Sequence, residues 1–344
     1  MRRKRWLLVL LAFFVILFIV YLAGPAPATP VYNETLPSVP AAAADLEHYI
    51  SAGESLHKLK PDNQARIVWF DDSTKSATEY ALVYLHGFSA SQGEGDSIHR
   101  WMARRYGCNL YLARLAEHGI DTVDAMINLT PDNYWESAKE ALAIGSRLGK
   151  KIILVGTSTG GSFALQLAAT YPDKVAALVL MSPNIAINDG TAWILNNHWG
   201  LQIARKVVGT DYIISKDEYG PLYDQYWYKK YRLEAVVALQ EYLETKMIPS
   251  TFAKVRQPVG LFYYYKDETH QDSTVKVSAE LSMFSALGTP DALKMKEAIP
   301  EAGTHVIGSS IRSHDIAGVR KGIDSFMTGV LHVKPYICAA CPGK

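Results

Sequence analysis

The stretch that most limits what this chain can fold into is Leu154-Val155-Gly156-Thr157-Ser158-Thr159-Gly160-Gly161. Residues 151–155 before it are apolar enough for a buried strand, and residues 162–170 after it carry small and apolar residues at helical spacing. Between them, Gly156-x-Ser158-x-Gly160 has the pattern of a sharp strand-to-helix turn with a serine hydroxyl at its apex. The glycines are needed because strand and helix come so close that side chains beside the serine would clash. The turn also aims the first N–H groups of the helix at any negative charge that develops near the serine. Three fixed positions in five residues specify little by themselves. The flanking strand and helix give them meaning.

The N-terminus reads Met1-Arg2-Arg3-Lys4-Arg5, followed by an uncharged run over residues 6–24. About 18 apolar residues cross the hydrocarbon core of a bilayer, given a rise of ~1.5 Å per helical residue. Residues 1–24 therefore read as a membrane-spanning anchor, with Trp6 and Tyr21 at its two interfaces. The basic cluster stays cytoplasmic, which puts the rest of the chain on the periplasmic or luminal side. A cleaved signal peptide is the rival reading, since Ala26-Pro27-Ala28 offers small residues at a cut. Against it stand the proline and an apolar run longer than the usual h-region of about 7–15 residues.

Residues 25–60 then shift to a Pro/Ala-rich linker and a leading helix. Pro25, Pro27, Pro30, Pro37 and Pro40 make a stiff, extended spacer, expected to hold a folded domain away from the membrane. Helical spacing returns over residues 45–59, through Leu46, Tyr49, Ile50 and Leu56. At the other end, residues 335–344 read as a flexible tail. Its Cys338-Ala339-Ala340-Cys341 lacks a second ligand pair and makes no zinc site. No metal or organic cofactor is expected.

Residues 61–334 suit one large domain, and 49% hydrophobic residues supply its core. The net charge of +1 comes from scattered charges with no basic stripe, which argues against nucleic-acid binding. Strands are expected over residues 65–70, 80–85, 109–113, 151–155, 175–181, 258–265 and 293–299. Helices fall at 96–106, 133–148, 158–171, 273–287 and 315–330. Apolar strands alternating with helices imply an α/β fold, a mostly parallel sheet covered on both faces. Ligands in such sheets bind beyond the carboxyl ends of the strands, where Phe88 and Ser158 fall. The alternation breaks over residues 184–254, which are rich in aromatics such as Trp193, Trp199, Tyr219, Tyr223, Trp227 and Tyr231. An insertion there reads as a cap or lid, whose aromatics pack its own small core or line an apolar pocket.

With these landmarks in order, residues 66–330 resemble the α/β-hydrolase superfamily. His86-Gly87-Phe88 is similar to the family's oxyanion motif, and Gly156-Thr157-Ser158-Thr159-Gly160 to its nucleophile elbow. An acid and then a histidine follow in the family order. Arg114-Leu115-Ala116-Glu117-His118-Gly119 resembles a loop of the monoglyceride-lipase-like and serine-aminopeptidase-like branch, where Gly-His-Gly is usual and Glu117 is a departure. The resemblance implies an α/β-hydrolase fold, its core split into residues 61–183 and 255–334 by the cap.

It also implies a catalytic set: Ser158, Asp272 and His305, with backbone N–H groups of Phe88 and Thr159 as the oxyanion hole. Gly156 and Gly160 would shape the elbow. Asp272 precedes Ser273-Thr274-Val275, similar to the family's Asp-x-x-Val arrangement, whereas Asp267 lies closer to the strand end and is the alternative acid. His305 follows a strand and a small-residue loop. His314 precedes Asp315 at a helix start and is the alternative histidine. His86 and His118 are expected to brace loops.

The chemistry gives each residue type a reason. A serine hydroxyl needs a base within hydrogen-bond reach, and histidine takes and returns a proton near neutral pH. A carboxylate behind the histidine fixes its tautomer and stabilises the imidazolium. The expected function is thus a membrane-anchored serine hydrolase acting on a small-molecule acyl ester, as a carboxylesterase or monoacylglycerol-lipase-like enzyme. Its aromatic cap and its tether to a lipid membrane point to medium or long acyl groups. A serine aminopeptidase, thioesterase or acyltransferase would use the same machinery. A non-catalytic binding domain would lack a triad member, and dehalogenation would need aspartate where Ser158 stands.

Overall fold

A computed structural model describes residues 2–216 and 218–337. Cys338, Cys341 and most of the expected tail lie outside them. The chain enters as α1 (Arg2–Leu22) and α2 (Ala43–Glu54), then β1 (Arg66–Val68), β2 (Thr78–Leu85), α3 (Ile98–Tyr106) and β3 (Asn109–Leu112). Next come α4 (Pro131–Leu148), β4 (Gly149–Thr157), α5 (Thr159–Thr170) and β5 (Val175–Met181). Residues 184–254 hold α6 (Gly200–Val208), β6 (Tyr212–Ile214), α7 (Pro221–Tyr226), β7 (Lys230–Arg232), α8 (Leu233–Lys246) and α9 (Pro249–Phe252). The chain closes through β8 (Val259–Tyr263), α10 (Val277–Ala286), β9 (Lys294–Ala298) and α11 (Ile316–Ser325).

Seven strands form the main sheet in the order β1-β3-β2-β4-β5-β8-β9. All its pairs are parallel except β1 with β3. At the centre, β2 and β4 run in register from Tyr80↔Lys151 to Leu85↔Gly156. Both faces are buried, and the pleat divides the residues between them. Ala81, Val83, Leu85, Ile152 and Leu154 face one core, shared with α4, α5 and α8. Leu82, Tyr84, Ile153 and Val155 face the other, shared with α3 and α11.

Local chemistry sets the element ends. Helix α4 begins with a reciprocal cap in which Thr130 and Asn133 side chains each take the other's N–H, with Pro131 in the first turn. It therefore starts two residues before the expected 133. Gly149, directly after that helix, is the first residue of β4. The expected closing helix 315–330 is α11 followed by one π-helical turn, Phe326–Val330.

The insertion does not sit apart from the body. In α8, Ala235, Leu239 and Tyr242 are buried in the main core, and Tyr242 stacks on Phe163 of α5 with ring centres 4.3 Å apart. Strands β6 and β7 pair antiparallel as a small separate ribbon.

The proline-rich segment is not a free spacer. Val31 and Tyr32 N–H groups both donate to Asp132 Oδ1, at 2.8 and 2.7 Å. Trp135 Nε1 donates to Asn33 O, and Lys139 Nζ to Thr35 O. Tyr32 and Val39 are buried. An extended proline-rich chain makes no internal hydrogen bonds, so its carbonyls and remaining N–H groups pair readily with side chains of α4. The expected standoff is thereby replaced by a strap along the body.

Helix α1 is long and apolar enough to cross a membrane, with mean hydropathy 2.7 over Lys4–Leu22 and none of that window buried. Its carboxyl end rests on the insertion. Trp199 Nε1 donates to Val20 O at 3.1 Å, Trp199 N–H to Pro25 O at 2.8 Å, and His198 Nδ1 to Gly24 O at 2.7 Å.

Candidate active site

Ser158 stands between β4 and α5 with φ 53° and ψ −123°, a backbone conformation costly for any residue with a Cβ. Its surroundings hold it there. Its N–H donates to Met181 O at 3.0 Å, and its carbonyl accepts from Gly161 and Asn184. A Cβ on Gly156 would lie 2.6 Å from the Gly160 backbone, and one on Gly160 would collide with the Leu85 carbonyl. Close approach of β2, β4 and α5 thus demands both glycines.

The acid reaches the site by a hairpin. After β8 the chain leaves through Lys266 and Asp267 and returns at the Tyr265↔Gln271 bridge, where Asp272 N–H donates to Tyr264 O. Asp267 is left at the tip, half exposed, with its carboxylate taken by Thr269 and His270. Asp272 is buried. Its Oδ1 accepts from Thr274 and Val275 N–H at 2.8 and 3.1 Å, and its Oδ2 lies 2.6 Å from His305 Nδ1. Burial works against the Asp272 charge, but His305 and the two N–H donors outweigh it and hold the carboxyl below its ordinary range. For His305 burial again opposes the charged form, and Asp272, with help from Glu94, pushes the ring above its usual 6.5.

His305 Nε2 is buried and has no hydrogen-bond partner among the described residues. His305 and Ser158 line the same cavity of about 590 Å³. Ser158 and His305 make no hydrogen bond to each other; nucleophile–base bonds of this kind commonly tighten only when substrate binds. His314 is exposed at the start of α11, its Nδ1 against the back of Gly303. The fold therefore gathers Ser158, His305 and Asp272 and leaves Asp267 and His314 outside.

The loop after β2 completes the site. The N–H groups of Phe88 and Thr159 make no hydrogen bond among the described residues, whereas those of Gly87, Ser89 and Ser158 do. Two neutral histidines brace this loop. His86 Nδ1 donates to Gly87 O and its Nε2 accepts from Leu115 N–H; burial pushes this ring down to about 4. His118 Nδ1 donates to Ala116 O and its Nε2 accepts from Ser89 N–H. The tautomers follow from these partners.

The cavity wall is aromatic on the insertion's side, with Tyr223 and Trp227 stacked at 4.5 Å and Tyr231 edge-on to Phe88. The lining also carries polar residues, among them Asn184, Thr274 and Arg312, whose guanidinium sits 3.1 Å from the Tyr219 ring centre. One residue the sequence reading passed over is Glu94, buried in the cavity wall beside Gly87. An acidic residue in a polar loop carries no sequence signal of burial. A larger hollow of about 930 Å³ between α2 and α4 contains none of these groups.

The chain has the α/β-hydrolase fold. Residues 80–208 match a family model described as alpha/beta hydrolase fold. Lipase LipV of Mycobacterium tuberculosis is 51% identical over 37 residues, a stretch that is 11% of this chain and only 14% of that protein. A structure reported for LipS and LipT, two metagenome-derived lipolytic enzymes, is 14% identical and covers 79% of this chain and 100% of its own, with a TM-score of 0.62. The monoacylglycerol lipase of Paleococcus ferrophilus is 15% identical over 70% of this chain and 89% of its own, with a TM-score of 0.51. A thermophilic esterase from Thermogutta terrifontis is 15% identical over 78% and 94%, again with a TM-score of 0.51. Together these likenesses show the fold.

Proposed function

We propose that this protein is a membrane-anchored serine hydrolase that cleaves carboxylic esters through an acyl-enzyme on Ser158. The observation that carries the reading is the buried Asp272–His305 pair, whose unpartnered Nε2 lines the same cavity as Ser158. Ser158 Oγ attacks the ester carbonyl carbon as its proton passes to His305 Nε2. Asp272 holds the ring in the tautomer that exposes Nε2 as acceptor and steadies the imidazolium. The tetrahedral oxyanion takes the free N–H groups of Phe88 and Thr159, worth on the order of 3 kcal/mol each. His305 then protonates the departing alkoxide. In the second half, water gives its proton to His305 and attacks the acyl carbon, and Ser158 recovers its proton as it leaves.

The cavity suits a small-molecule acyl ester, within the roughly 300–1,000 Å³ usual for such sites, and the aromatic wall supports an acyl chain. In this reading residues 61–183 and 255–334 supply the machinery and residues 184–254 act as its cap. Likeness to lipolytic enzymes and to a monoacylglycerol lipase supports a lipid ester. Anchoring is supported by the apolar α1, and the basic flank before it supports a hydrolase on the periplasmic or luminal side.

The test is a fluorophosphonate probe together with turnover of p-nitrophenyl esters of graded chain length. Labelling and turnover that vanish in Ser158→Ala are expected. Equal labelling of the variant, or no turnover by the wild type, overturns the reading. Full-length protein is expected to stay with membranes through an alkaline carbonate wash.

A further inference from the structure

Glu94 lies in the 3-10 turn Gln92–Gly95 that follows the His86-Gly87-Phe88 loop, and it is 2% exposed. Its Oε2 accepts the Gly87 N–H at 2.6 Å, a short bond of the charge-assisted kind, and the Tyr84 hydroxyl at 3.2 Å. Tyr84 is itself held at 3.1 Å from Thr157 Oγ1, the residue before Ser158. The carboxyl thus ties the loop after β2 to the end of β4. A Cβ on Gly87 would meet Glu94 Oε1 at 2.7 Å and Ser158 Cβ at 3.0 Å, so the carboxyl and the serine flank the same face of that glycine. Glu94 also lines the cavity with Ser158 and His305. Among the described residues no lysine or arginine bonds it.

A buried carboxylate without a cation is costly, and a loop that only needed an acceptor could use a neutral side chain. We propose that Glu94 is a positioning residue for ester hydrolysis, which fixes Gly87 so that the Phe88 N–H points at the oxyanion and adds negative charge beside His305. This rests on the reading of Ser158 as nucleophile. Gly87 N–H is consumed by Glu94, so the next N–H along, that of Phe88, is left for the substrate. The titratable groups facing Glu94 are Tyr84 from β2, Tyr134 from α4 and His305 from the loop after β9; Asp96 follows on its own turn. His305 in turn faces Asp272 and Glu94. Burial pushes Glu94 up to about 7, against the Gly87 N–H and His305, so its charge changes in the range where His305 must act as a base.

Two variants separate positioning from charge. Glu94→Gln keeps a carbonyl acceptor for Gly87 and removes the charge. Glu94→Ala removes both. With a soluble ester, Glu94→Ala is expected to lose kcat by about 10–100-fold at near-constant KM, part of the 10²–10³-fold cost of losing an oxyanion donor. Glu94→Gln is expected to recover most of kcat while its acid limb of kcat/KM moves to lower pH. The sign follows from His305: without the neighbouring negative charge its ring loses protons more readily and serves as base at lower pH. Wild type and both variants are first labelled with the fluorophosphonate probe. If wild type itself does not react, the nucleophile reading fails. If wild type reacts and Glu94→Ala keeps kcat within twofold, the positioning role is overturned. If the acid limb of Glu94→Gln is unmoved, its charge role is overturned, and that variant decides the matter should Glu94→Ala not fold.

Discussion

Asp272 Oδ2 and His305 Nδ1 lie 2.6 Å apart, and the second carboxylate oxygen is held by two backbone N–H groups. The carboxylate cannot swing away, so the ring cannot turn without breaking that bond. Replacing Asp272 by Asn leaves the shape but offers the ring a donor as readily as an acceptor. Asp272→Asn is expected to lower kcat by about 10³–10⁴-fold with little change in Tm. Steady-state kinetics beside a melting curve checks it.

The same pair sets the pH profile. In the proposed mechanism His305 must be neutral to accept the serine proton, and Asp272 raises its pKa above 6.5. Activity should therefore rise with pH along an acid limb centred above 6.5. In Asp272→Asn the limb should shift downward, since the carboxylate that favours the imidazolium is gone. A kcat/KM profile from pH 5 to 9 reads both.

How far the chain disclosed this site in advance depends on the range of the signals. The elbow was legible because Gly156, Ser158 and Gly160 are adjacent and the clash that requires them is local. The strands were legible because burial on both faces leaves continuous apolar runs such as residues 81–85. The choice between Asp267 and Asp272 was not, since both lie in one loop and only the hairpin closed by Tyr265 and Gln271 returns Asp272 to the strand end. The strap along α4 escaped notice because Asp132 and Trp135 lie about a hundred residues from the carbonyls and N–H groups they bind. Glu94 escaped because nothing near it in sequence differs from a solvated loop.

Gly160 allows a sharper stability test than Ser158, His305 or Asp272. A methyl group there would run into the Leu85 carbonyl, which belongs to β2 and has no room to retreat. Gly160→Ala is expected to destabilise by on the order of 3 kcal/mol, the upper range for overpacking. Urea unfolding followed by circular dichroism measures it.

In the insertion, Trp199 holds α1 by its indole N–H, on Val20 O, and the following Pro25 by its backbone N–H. Trp199→Ala removes the indole's bond to Val20 O while the backbone bond to Pro25 O remains, and should loosen the segment around Gly24 without touching the cavity, whose lining excludes Trp199. Protease cleavage around residues 25–31 in membrane-reconstituted protein should quicken several-fold, on the order of the ~1 kcal/mol worth of one hydrogen bond. Turnover of a soluble ester should stay unchanged.

A last prediction concerns Glu280, which is fully buried, has neither carboxyl oxygen hydrogen-bonded among the described residues, and faces the charge of Asp272. Burial first, and Asp272 second, raise its pKa well above the ordinary 4.5. The folded protein therefore binds this proton more tightly than the unfolded chain. Its contribution to stability is fully present below the unfolded pKa and is lost as pH rises from there toward the folded value. Glutamine has the same shape and no proton to lose. Glu280→Gln should thus raise Tm at pH 8 by about 2–4 °C, the shift expected for ~1 kcal/mol in a domain of this size. At pH 4.5 the gain should be smaller. An equal gain at both values would mean that the carboxyl does not stay protonated in the fold.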